Sequence, residues 1–176
     1  MSKADLLLQL KEQTAKILNS EKEFWSSPQF SSGIAKGIIV ELLGNARIEW
    51  LIQVFMANPS PYILWCEKKP QILPTALIQR GLQPHRIKFV ITDKFQPLRL
   101  ALESQHYPFV VAPHLMTSVS SFQRLHLLAE KSKSTVFLLG GKKFSAAWPI
   151  SLQLEINNSD EGFEISVHKQ KHGRSL

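Results

Sequence analysis

Between residues 37 and 140 the chain repeats one pattern: a short, unbroken apolar run, a polar break, then apolar positions spaced three and four apart. The unbroken runs predict strands at IIVELL, YILWCE, IKFVIT, FVVAP and TVFLLG. The spaced positions predict helices from Arg47 to Met56, Leu73 to Arg80 (ended by Gly81), Pro97 to Ser104, and Ser118 to Lys131. Apolar strands that do not alternate must be covered on both faces, and strands separated by helices pair in parallel. The pattern therefore predicts an α/β domain built on a mainly parallel sheet with right-handed crossovers.

After Pro149 the period changes. ISLQLEI and FEISVHK alternate apolar and polar residues on either side of the polar turn NNSDEG, the signature of a β-hairpin. Its expected place is one edge of the sheet, with antiparallel pairing. At the other terminus, Leu6, Leu7, Leu10, Ile17 and Leu18 recur at helical spacing between charges, predicting an amphipathic helix over residues 4 to 20. SSPQFSSGIAK, residues 26 to 36, reads as a linker. This divides the chain into an N-terminal helix (1–25), a linker (26–36) and a core domain (37–176). Phe24, Trp25 and Phe30 around the linker are expected to anchor on the domain's own surface.

Composition narrows the class. The 176 residues are 44% hydrophobic, enough for one globular core. No apolar stretch approaches the ~18 residues of a membrane span, and the start lacks a small-residue cleavage site. A cytoplasmic location is expected, since Cys66 is the sole cysteine and can form no internal disulfide. The six histidines are scattered over separate elements, so no metal site is expected. A net charge of +7 suits a polyanionic partner as well as solubility.

The stretch GIIVELLGNARIEWL raises a chemical question. A strand, a glycine and a helix can form a phosphate loop, Gly-x-x-x-x-Gly-Lys-Ser/Thr, whose amides wrap a phosphate while lysine neutralises it and the hydroxyl ligates magnesium. Counting from Gly44, the last three positions hold Glu49, Trp50 and Leu51. Glutamate repels phosphate, tryptophan fills its space and leucine offers magnesium no oxygen. No nucleotide cofactor is expected. An ordinary strand, turn and core helix would read the same way.

With the elements placed, the chain resembles the RecA-like fold and, within it, the ImuA family of SOS mutagenesis accessory proteins. The resemblance runs through SSGIAKGIIVELLG, PYILWCEKKPQILPTALIQRGLQPHRIKFV, LRLALESQHYPFVVAP and FQRLHLLAEKSKSTVFLL to the terminal hairpin and its basic tail, about residues 31 to 176. Departures fall where related ATPases keep their machinery. The phosphate loop is degenerate. Ala112, Pro113 and His114 stand where a magnesium-associated aspartate is found, and Lys69 stands where active relatives carry a glutamate, with Glu67 two positions early. Phosphoryl transfer depends on those charges.

The resemblance therefore implies a non-enzymatic adaptor in the bacterial DNA-damage response. Its expected partners are a recombinase filament or a translesion polymerase subunit, with single-stranded DNA as a further ligand. Lys169, Lys171, His172 and Arg174, with Lys142 and Lys143 if strand TVFLLG lies beside the hairpin, are the candidate nucleic-acid contacts. The alternative is a division inhibitor resembling SulA that caps the tubulin-like division protein. Such an inhibitor would not need the basic tail.

Overall fold

The computed structural model describes residues 23–114, 118–140 and 149–171. A two-residue ladder pairs β1 (Phe24–Trp25) antiparallel with β2 (Ile34–Ala35). The central sheet then follows with β3 (Ile39–Leu43), α1 (Arg47–Ala57), β4 (Ile63–Glu67), α2 (Pro74–Gln79) and β5 (Ile87–Ile91). It continues with α3 (Gln96–Ser104), β6 (Phe109–Pro113), α4 (Val119–Ser132), β7 (Thr135–Leu139), β8 (Leu152–Ser159) and β9 (Gly162–Gln170).

The seven strands lie in the order β5-β4-β6-β7-β3-β8-β9. Every pair is parallel except β8 with β9. The sheet is covered by helices on both faces, which is why its inner strands are mostly apolar. Trp50, Leu51, Val54, Phe55 and Leu77 from α1 and α2 close one face; Leu98, Leu102, Phe122, Leu125 and Ala129 from α3 and α4 close the other. The carbonyls at the end of α1 and in the following loop are satisfied by Arg86, which donates to Phe55 O, Asn58 O and Pro61 O.

Two expectations change. The hairpin does extend an edge of the sheet, but β8 runs parallel to β3, and antiparallel pairing begins only with β9. The physical reason is connection length: residues 140–151 between β7 and β8 are long enough for the crossover that a parallel return requires. The second change follows from strand order. β3 separates β7 from the hairpin, so the condition for bringing Lys142 and Lys143 beside the basic tail is not met. Those two lysines lie outside the described residues.

Residues 23 to 36 pack on the domain, as expected of the aromatic residues among them. The Trp25 indole N–H donates to Thr135 Oγ1 at 2.9 Å, its ring lies 4.6 Å from that of Phe109, and Lys36 Nζ sits 4.2 Å above it. Phe30 is buried in the same cluster. The expected helix over residues 4 to 20 lies outside the described residues.

Candidate functional site

At the carboxyl end of β3 the chain turns through Gly44, Asn45 and Ala46 straight into α1. Gly44 has φ +89, and a Cβ there would collide with the backbone of Ile156, so only glycine fits. A phosphate loop works by aiming backbone N–H groups at an anion. Here β8 has taken two of those groups, the amides of Asn45 and Ala46. Ala46 N donates to Ile156 O at 3.0 Å and Asn45 N to Asn157 Oδ1 at 3.2 Å, while Asn45 Oδ1 accepts from Asn158 N at 3.1 Å.

Glu49, Trp50 and Leu51 all lie inside α1, beyond the turn. Glu49 pairs with Arg80 at 2.7 Å. Trp50 and Leu51 are fully buried, and the Trp50 indole donates to Pro28 O at 3.2 Å. The cations that could replace a missing lysine are placed elsewhere. Arg47 Nη1 donates back to Gly44 O at 2.6 Å, Lys36 pairs with Glu23 before β3 begins, and Lys69 is exposed on the loop after β4.

The opposite face of the same strand end holds a polar group that sequence reasoning missed. Glu41, within the apolar run of β3, is completely buried on the face it shares with Ile39. Its Oε2 accepts from Gln153 Nε2 at 2.6 Å, and His114 Nε2, from the end of β6, lies 3.2 Å from Oε1. Gly140 must be small: a Cβ there would stand 2.6 Å from His114 Nε2 and 3.4 Å from Glu41 Oε1. The register continues the row, since Glu41 pairs with Gln153 on β8 and Gln153 with Lys169 on β9. Burial, then the nearby Lys171, push the Lys169 pKa down, and Glu41 opposes them. The signal for this cluster was one carboxylate in a strand that must be covered on both faces. A buried charge survives only with partners.

Between these two regions, α1 and the ends of β4, β6 and β7 line a cavity of about 300 Å³ with Arg47, Cys66, Glu67, Lys68 and Pro113 among its walls. Such a crevice outside the carboxyl ends of parallel strands is where α/β sheets commonly hold ligands. The Glu67 carboxylate is engaged locally, accepting from Trp65 Nε1 at 3.1 Å and Gln71 N at 2.7 Å. Cys66 is buried, and desolvation pushes its pKa up to about 12, so the thiol stays protonated and unreactive near neutral pH.

The basic tail is only partly tail. Lys169 belongs to β9, and Lys171 N donates to Ser151 O at 2.8 Å. His172 and Arg174 lie outside the described residues. Among the described residues no group of three or more His, Cys, Asp or Glu is arranged to hold a metal, and no helix is long and apolar enough to cross a membrane.

No protein-family model matches the chain, and no curated protein matches it in sequence. Among solved structures it is similar to the RadB recombinase, with a TM-score of 0.57 and 14% identity over 78% of this chain and 83% of that one. The fold is RecA-like: a mainly parallel sheet between helices, extended by the β8–β9 hairpin.

Proposed function

We propose that this chain is a RecA-like adaptor without ATP-driven chemistry, acting in the bacterial DNA-damage response in the manner of ImuA-type accessory proteins. The observation that carries the non-enzymatic part is the turn after β3, where β8 accepts the hydrogen bonds of Asn45 N and Ala46 N. A RecA-like scaffold whose turn amides at Asn45 and Ala46 are held by its own hairpin retains its surfaces for contact with other molecules. The partner is then a recombinase filament or a translesion polymerase subunit. Lys169 and Lys171, with His172 and Arg174 beyond them, supply a second contact to single-stranded DNA, and the net charge of +7 supports a polyanion.

The test has two parts. Titration calorimetry with Mg-ATP shows no saturable heat at millimolar nucleotide; micromolar saturable binding overturns the non-enzymatic reading. Capture from DNA-damaged bacterial cells on the immobilised full chain, read by mass spectrometry, recovers a recombinase or polymerase. Recovery of the tubulin-like division protein instead transfers the reading to a SulA-type inhibitor.

A further inference from the structure

The outermost strand on the hairpin side, β9, presents an edge whose backbone groups can be counted. Ser159 pairs with Gly162 across a two-residue turn, and the register then runs unbroken to Leu154 with Val167. In such a ladder alternate pairs exchange no hydrogen bonds, so Phe163, Ile165 and Val167 point their N–H and C=O groups away from β8. Phe163 bears this out, since its N–H donates to Gln29 Oε1 at 3.2 Å. Gln29, at φ +59, thereby covers the start of the edge. Nothing among the described residues covers Ile165 or Val167 in the same way, and the Val167 side chain is 44% exposed. Uncovered outward N–H and C=O groups of this kind are a template on which another strand can pair.

We propose that the strand it recruits is β9 of a second copy of this chain, paired antiparallel about a two-fold axis through Ser166. The sequence of the edge selects the copy and the register. With the axis at Ser166, Glu164 stands opposite His168 of the second copy and Ile165 opposite Val167 of the second copy. Two-fold symmetry repeats each pair. Moving the axis to Ile165 places Glu164 opposite a serine and loses both Glu164–His168 pairings. His168 is already held by Glu155 on β8 at 2.7 Å, so its ring is fixed on the face that Glu164 of the second copy would meet. Gln29 at one end, and at the other the β-bulge that leaves His168 without a register partner on β8 together with the lysines beyond it, confine pairing to residues 164–168. The outcome is one sheet continuous through two chains.

The pairing is tested on the full-length chain. Ser166 would face itself in a pair without mutual hydrogen bonds, where Cα atoms are about 4.5 Å apart, inside the range a disulfide spans. A Ser166→Cys chain under mild oxidation is expected to convert largely to a disulfide-linked dimer. A Gln83→Cys chain, exposed on the loop after α2, is not. The buried Cys66 does not compete. Independently, sedimentation of the unmodified chain is expected to show a monomer–dimer equilibrium that Val167→Pro weakens about tenfold or more. Proline at 167 removes an outward N–H while leaving the bonds to β8. If Ser166→Cys crosslinks no faster than Gln83→Cys, or the unmodified chain sediments as a monomer at high concentration, the edge is not self-paired.

Discussion

The two sides of β3 at its carboxyl end solve opposite problems. On the side of α1, the turn Gly44–Asn45–Ala46 presents only backbone donors, and the hairpin strand β8 satisfies them with a carbonyl and a side-chain amide. On the side of α4, Glu41 puts a carboxylate into a fully buried position, where the side chains of Gln153 and His114 meet it and Gly140 leaves them room. The first region satisfies its polarity internally, through the hairpin. The second has kept polarity that a packed sheet would ordinarily discard, since an apolar residue of similar volume is often as stable as a buried charge. The contrast teaches that closing the turn after β3 did not make this end of the sheet inert core.

If the contrast is real, the largest effect belongs to Glu41→Ala. The substitution leaves the Gln153 amide and the His114 ring without their carboxylate inside the sheet and opens a cavity. A loss of about 3–5 kcal/mol is expected, the range for breaking a buried charged contact. Glu41→Gln keeps the shape and one acceptor, so it should lose about 1–2 kcal/mol. Urea unfolding of both variants measures the difference. A Glu41→Ala chain as stable as the parent would mean that the carboxylate is not held by its neighbours.

The next effect belongs to the turn. Gly44→Ala forces a side chain into φ +89 and against the Ile156 backbone. Strain of this kind is expected to cost about 2–3 kcal/mol. The damage should be local in hydrogen exchange, appearing first at Ala46, whose amide bonds Ile156 O. Uniform loss of protection across the sheet would show instead that the turn and the core open together.

How much of this could be read from the sequence follows from the same contrast. Strand and helix positions were legible because apolar periodicity is a local signal, and β6 was predicted at the bounds observed. Strand order was not, because nothing local says that β3 passes between β7 and β8. The closure of the turn was half legible: Glu49, Trp50 and Leu51 argue against phosphate, but the donors that matter belong to Asn45 and Ala46, and their acceptors lie 110 residues away in β8. Glu41 was visible as a charge inside IIVELL and passed over as part of an apolar run. Residues 23 to 36 were legible in both respects, as an irregular segment and as one whose aromatic residues anchor on the domain. Serine, proline and glycine there do mark an irregular backbone, and Trp25 and Phe30 bury it against the sheet.

The smallest effect is the most discriminating about the turn. Asn157 accepts from Asn45 N, and Asn45 in return accepts from Asn158 N, so the two side chains lock turn and hairpin reciprocally at an exposed site. Asn157→Ala removes one arm of that lock. Because water can replace the lost acceptor there, the expected cost is only about 0.5–1 kcal/mol. Exchange of the Asn45 amide should accelerate, while the Ala46 amide, bonded to the Ile156 carbonyl, should remain protected. A phosphate site needs neighbouring amides aimed at one point, and one freed donor beside an occupied one does not make it. Titration of the Asn157→Ala chain with inorganic phosphate should therefore leave both amide resonances unmoved. If phosphate shifts them and slows their exchange, the turn has kept an anion-binding shape that the hairpin merely covers. The two sides of β3 would then differ less than their hydrogen bonds suggest.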